Sequence, residues 1–164
     1  MLALGIDPGT AICGYGFVES RGSNLIAHKY GAITTSPKAK MEDRLLKIFD
    51  GLNEMIKEFK PDVMGIEQLF FNRNVTTAIT VGQARGVIIL AAAQLGVKVN
   101  EYTPLQVKQA VVGYGRAEKA QVMDMVKRIC HLPTPPKPDD AADAVALALC
   151  HACLLYTSPS PRDS

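Results

Sequence analysis

LALGIDPGT, residues 2–10, decides the fold: an apolar run of strand length stops at Asp-Pro-Gly, which is turn chemistry, so Asp7 arrives at the C-terminal end of a buried strand. Working outward, residues 13–19 and 25–34 read as two more strands, with Arg21-Gly22-Ser23-Asn24 as the hairpin turn between them. Met41, Leu45, Ile48, Leu52, Ile56 and Phe59 recur at three- and four-residue steps, the period of an amphipathic helix, which ends before Pro61. Residues 63–66 make a fourth strand ending at Glu67, 76–95 a second helix stopped by Gly96, and 97–102 a fifth strand. From Pro104 the pattern is helical over 104–112, 118–130 and 139 to about 154, interrupted by Gly113-Tyr114-Gly115 and by the proline-rich stretch 132–138. Three adjacent strands followed by alternating helix and strand predict an α/β protein, a sheet with helices packed on its faces. No internal repeat is visible.

The 164 residues are of single-domain size, and 48% hydrophobic content fills one core. Residues 1–155 are expected to form that domain, and 156–164, YTSPSPRDS, a disordered or non-native tail without apolar periodicity. The first residues lack a basic n-region and meet Asp7-Pro8 at once, unlike a signal peptide. The longest apolar run, 86–93, is too short to span a bilayer, so a cytoplasmic protein with no membrane partner is expected. Four cysteines (Cys13, Cys130, Cys150, Cys153) are too few for a disulfide framework in a chain with a proper core. Cys150 and Cys153 have C-x-x-C spacing, but they sit near a helix C-terminus, which disfavours thiolate, and no second such pair completes a zinc site.

Two acids end two predicted strands, Asp7 in GIDPGT and Glu67 in GIEQLF, each preceded by Gly-Ile. Ligands of an open α/β sheet gather beyond the C-terminal edge of its strands, so both carboxylates point to one place if these strands are neighbours. Asp140 and Asp143 lie three apart at the start of the last helix, hence on one face of it. Taken alone, PDDAAD reads first as acidic residues favouring a helix N-terminus. Taken with Asp7 and Glu67 it makes a quartet of oxygen donors, and like charges gathered in one place require cations. Oxygen ligands without His or Cys select hard Mg²⁺, with Mn²⁺ as a substitute, and two such ions per subunit fit hydrolysis of a phosphodiester. The formal net charge is +2; with the four acids occupied by metal the rest of the chain carries +6, compatible with a DNA-facing surface.

GIDPGT with GYGF, IEQLFF, VGQARGV, PLQVKQAVVGYGRAEKAQV and DDAADAVALAL, in this order, resemble the RuvC family of Holliday junction resolvases from Leu2 to about His151. The resemblance implies a ribonuclease H-like fold, a mixed five-stranded sheet with helices on both faces. It also implies a homodimer that cuts paired strands of a four-way DNA junction with Mg²⁺, in recombination and repair, accompanied by the branch-migration proteins RuvA and RuvB. Its catalytic and metal-holding acids fall on Asp7, Glu67, Asp140 and Asp143, and its DNA contacts on Phe70, Lys108 and Lys119. Arg73, Arg85 and Arg116 are further candidates for DNA contact. Phe70 has two readings, a ring stacked on an unpaired base or a core residue beside Leu69 and Phe71. Actin-like ATPases and sugar kinases share the Gly-Ile-Asp-x-Gly-Thr opening but need two lobes, whereas this chain has room for one. A junction-binding module without cleavage, and a related nuclease acting on RNA or linear duplex, are the remaining rivals.

Overall fold

A computed structural model describes residues 1–68 and 75–157, with side chains as far as residue 154. The elements are β1 (Leu2–Asp7), β2 (Ile12–Arg21), β3 (Asn24–Thr34), α1 (Met41–Phe59), β4 (Val63–Glu67), α2 (Val75–Gln94), β5 (Lys98–Tyr102), α3 (Pro104–Val111), α4 (Lys119–Ile129) and α5 (Asp139–Thr157). The strands form one sheet in the order β3-β2-β1-β4-β5, antiparallel from β3 to β1 and parallel from β1 to β5. This is the mixed five-stranded α/β arrangement expected.

Period-two alternation sends successive β1 side chains to opposite faces. Leu4 and Ile6 join Phe17, Ile48, Leu52 and Ile88 in the core under α1 and α2. Ala3 joins Val18, Val126, Val145 and Leu149 in the core under α4 and α5. Burying a large aliphatic or aromatic side chain contributes about 1.5–3 kcal/mol each, so this double-sided burial of the short β1 holds the sheet centre in place. Phe17 and Phe59 stack with ring centroids 4.6 Å apart, fastening the end of α1 to β2.

Local signals account for the element ends. Lys60 adopts a left-handed conformation (φ 51°) after α1, and Gly96 (φ 74°) does the same after α2, where only glycine is free of strain. The β2–β3 turn is tighter than the expected four residues: Arg21 and Asn24 pair, leaving Gly22-Ser23, with Gly22 at φ 58°. The last helix continues to Thr157, past the end expected near Leu154, so residues 156 and 157 of the stretch read as tail are helical.

By length and composition α2 is apolar enough to cross a membrane, which counting only uninterrupted apolar residues had hidden. In this fold one side of it, Ala84, Ile88, Ala91 and Ala92, is built into the core. Its other side leaves Val75, Ile79 and Leu90 at 73%, 58% and 59% exposure.

Candidate active site

The cleft is a product of register. β1 and β4 are parallel neighbours with Ile6 opposite Ile66, so Asp7 and Glu67 leave adjacent strands at the same level and the same edge. α5 reaches that edge by lying directly on the sheet. A Cβ on Gly14 would stand 2.1 Å from the Asp140 carbonyl oxygen, and one on Gly5 would stand 1.8 Å from that of Ala144. Since Gly14 pairs with Asp7 across β1 and β2, the missing side chain is what brings the first turn of α5 down beside Asp7. Asp7, Glu67, Asp140 and Asp143 thereby line one open cleft of about 780 Å³, together with the Pro8–Thr10 turn. Its far walls come from Thr77 and Thr80 of α2, Lys108 of α3 and Lys119 of α4.

Charge in this cleft is unbalanced. Burial first, then the charges of Asp143 and Asp140, a hydrogen bond with Asp140 and the charge of Glu67, push the Asp7 carboxyl from 3.8 up to about 8. Asp143 is also raised, by burial, against the opposing pull of Lys119. Lys119 Nζ stands 3.7 Å from both Asp139 and Asp143, and chiefly the Asp143 charge raises its own pKa. The two ammonium groups that line the cleft, Lys108 and Lys119, do not balance four carboxylates, and the raised pKa of Asp7 makes a cation beside it favourable. The donor set is all oxygen and fits a hard divalent ion such as Mg²⁺. Among the described residues no three His, Cys, Asp or Glu side chains are already closed into a cage, so the acids converge on the cleft without being clamped on one point.

The structure sorts the remaining candidates. Lys108 and Lys119 line the cleft, from the two helices that flank the Gly113-Tyr114-Gly115 turn. Arg116 is exposed on that turn but does not line the cleft. Arg85 is directed elsewhere, its guanidinium paired with Glu101 on β5 and its side chain only 15% exposed. Phe70 and Arg73 lie outside the described residues. Sequence reasoning missed Asp139 as a partner of Lys119 and the seating role of Gly14, although the Gly-Tyr-Gly spacing in β2 carried the signal for the latter. The cysteines are quiet: burial pushes Cys150 up to about 12 and Cys130 up to about 11, and Cys13, buried beside Asp7, up to about 12. His151 is committed to the Tyr102 hydroxyl.

Comparison with known proteins gives concordant results. The family model for crossover junction endodeoxyribonuclease RuvC matches residues 3–151. A crossover junction endodeoxyribonuclease RuvC from Ruminiclostridium cellulolyticum is 58% identical over 151 residues, 92% of this chain and 91% of that protein. One from Heliobacterium modesticaldum is 59% identical over 152 residues, covering 93% and 94%. Among solved structures, Thermus thermophilus RuvC in complex with Holliday junction substrate superposes with a TM-score of 0.89 at 34% identity, covering 96% of this chain and 97% of that one.

Proposed function

The chain belongs to the RuvC family of crossover junction endodeoxyribonucleases, and from that premise we infer that it is a structure-selective endonuclease that resolves four-way DNA junctions by paired, symmetric phosphodiester cleavage. The observation that carries the reading is the convergence of Asp7, Glu67, Asp140 and Asp143 in one cleft walled by Lys108 and Lys119. Acids alone would repel a DNA strand; acids flanked by lysines receive a phosphate once their own charge is met. The test is to incubate the protein with a synthetic four-way junction and with matched linear duplex, with and without Mg²⁺. Symmetric nicks in the junction alone, and only with the metal, are expected. Equal cutting of linear duplex would overturn the substrate assignment, and cutting after thorough chelation the metal assignment.

Asp7, Glu67, Asp140 and Asp143 would hold Mg²⁺, two ions per subunit, with Mn²⁺ able to substitute. The metal would supply the concentrated positive charge that in-line displacement at a phosphodiester needs. The chain's own contributions are separable from it. The strand ends fix Asp7 and Glu67, the glycine-seated α5 presents Asp140 and Asp143, and Lys119 is held at the rim by Asp139 and Asp143. Lys108 and Lys119 are the phosphate-binding cations of this reading, with Arg116 beyond the cleft. Phe70 is assigned to DNA contact on the family resemblance, which also supplies RuvA and RuvB as partners; Arg73 is a further candidate for DNA contact, and the cytoplasmic location is proposed from the sequence reading.

The working unit in this reading is a homodimer. Two strands must be cut, and the acids of one chain make one cleft. The outward face of α2 supports the assignment: Val75, Ile79 and Leu90 are exposed, and among the described residues nothing beyond the helix's own backbone lies within 4 Å of a Cβ placed on Gly82 or Gly86 between them. A contiguous apolar strip with a flat glycine centre suits close approach of a second, identical helix about a two-fold axis.

A further inference from the structure

The turn between α3 and α4 carries Tyr114, a large aromatic residue 47% exposed to solvent and yet held in one orientation. Its hydroxyl is bonded to Gln121 Nε2. The other end of the same amide is occupied, because Gln121 Oε1 accepts the backbone N–H of Glu118 at 2.7 Å. A backbone N–H can only donate, so Oε1 must face Glu118 and Nε2 must face Tyr114. Nε2 can only donate in turn, so the Tyr114 oxygen is the acceptor and its own proton is left over. Among the described residues no acceptor takes that proton. The turn is braced from below as well, with the Val112 and Gly113 N–H groups both donating to the Lys108 carbonyl at 2.8 and 3.2 Å, and Gly113 at φ 107°.

The surroundings choose the acceptor. Lys108 lies six residues before Tyr114 and Lys119 five after it, both lining the cleft, and exposed Arg116 is two residues on. Against these three cations the segment 104–119 itself carries one acid, Glu118, while Lys119 also pairs with Asp139 and Asp143 of α5. A fixed hydroxyl donor on the turn that joins two helices carrying cleft-lining lysines, polarised by two donors in series behind it, is suited to an anionic oxygen.

Resting on the nuclease reading above, we propose that Tyr114 is a DNA-contact residue whose hydroxyl, oriented by Gln121, donates to a backbone phosphate of the junction strand beside the cleft. The ring serves as a rigid spacer in this arrangement, and the contact is neutral.

That neutrality sets the test. Junction affinity is measured in Ca²⁺ over a salt series for wild type, Tyr114→Phe, Gln121→Glu and the double variant. Tyr114→Phe keeps the ring and should weaken binding about tenfold, the scale of one hydrogen bond to a charged group. The salt slope should stay at the wild-type value, because a hydroxyl releases no counterion. Gln121→Glu turns the relay round: a carboxylate accepts from both Glu118 N–H and the Tyr114 hydroxyl, withdrawing the proton from the DNA. Tyr114→Phe should then cost nothing further in the Gln121→Glu background. Wild type that binds the junction with Tyr114→Phe within twofold of it, or the full Tyr114→Phe loss in both backgrounds, overturns the contact and leaves the nuclease reading standing. Wild type that does not prefer the junction over linear duplex overturns that reading and this contact with it.

Discussion

Asp7 keeps its proton up to about pH 8 in the folded protein, while an ordinary aspartate gives it up near 3.8. In the metal-free protein the folded state therefore binds a proton that the unfolded chain has lost, over the window from about pH 4 to about pH 8. Its contribution to stability is fully present at the acid end and is lost as pH rises through that window. Calorimetry in EDTA should show the melting temperature falling from pH 5 to pH 8. Asp7→Asn should flatten the decline, and Mg²⁺ should raise the wild-type melting temperature at pH 8. A slope untouched by Asp7→Asn would place the cost elsewhere. The same variant is expected to abolish junction cleavage and leave junction binding near normal, because the lost charge positions metal and makes no DNA contact. Cleavage above a tenth of wild type would count against it. Lys108 and Lys119 call for a different measurement. If each touches one phosphate, Lys108→Ala and Lys119→Ala should each lower the slope of log affinity against log salt by about 0.9. A lysine whose removal leaves the slope unchanged belongs to the solvated surface.

At the scale of elements, the site depends on how closely α5 lies on the sheet. Gly14 is in an extended strand, so a side chain there breaks no backbone rule; its penalty is purely the collision with Asp140. Gly14→Ala would lift the first turn of α5 at a cost of about 1–3 kcal/mol in overpacking, since interiors do not absorb an added methyl freely. Displacing Asp140 and Asp143 by even an ångström should reduce cleavage about a hundredfold. The informative measurement is the pair of readouts: a protein that still unfolds cooperatively but cuts poorly. Near-normal cleavage by Gly14→Ala would show that α5 can shift without disturbing the acids. A second coupling runs through Lys119, at the first position of α4, whose contacts with Asp139 and Asp143 tie that helix to the start of α5.

For the whole molecule, the exposed strip of α2 and the one cleft in which Asp7, Glu67, Asp140 and Asp143 meet are what the proposed dimer rests on. Mixed dimers of wild type and Asp7→Asn subunits, given a plasmid with an extruded cruciform, should leave one nick where wild type makes a linear product. Linear product formed as fast as with wild type would defeat the model, as would a monomer by sedimentation even on junction DNA. A charge placed in the strip, Leu90→Glu, should shift sedimentation toward the monomer with little loss of fold, because that side chain is already 59% exposed.

The sequence by itself determined the elements, and it singled out the four acids that the fold brings into one cleft. The apolar run of β1 stopped by Asp-Pro-Gly, the helical period of α1 and the stops at Pro61 and Gly96 are local signals, and each is strong enough to place an element within a residue or two. The matched Gly-Ile-acid endings of β1 and β4 were equally legible, because a strand end next to turn chemistry needs no partner to be recognised. Only the tertiary structure decided that β1 and β4 are parallel neighbours in level register, and that Gly14 admits α5 beside Asp7. It likewise showed that Arg85 turns to Glu101 while Lys119 faces the acids, and that α2 has a bare side. The physical reason is range. Period, caps and turns are written in neighbouring residues, whereas the direction of a long side chain, and the clearance above a glycine, are set by groups on other elements of the fold.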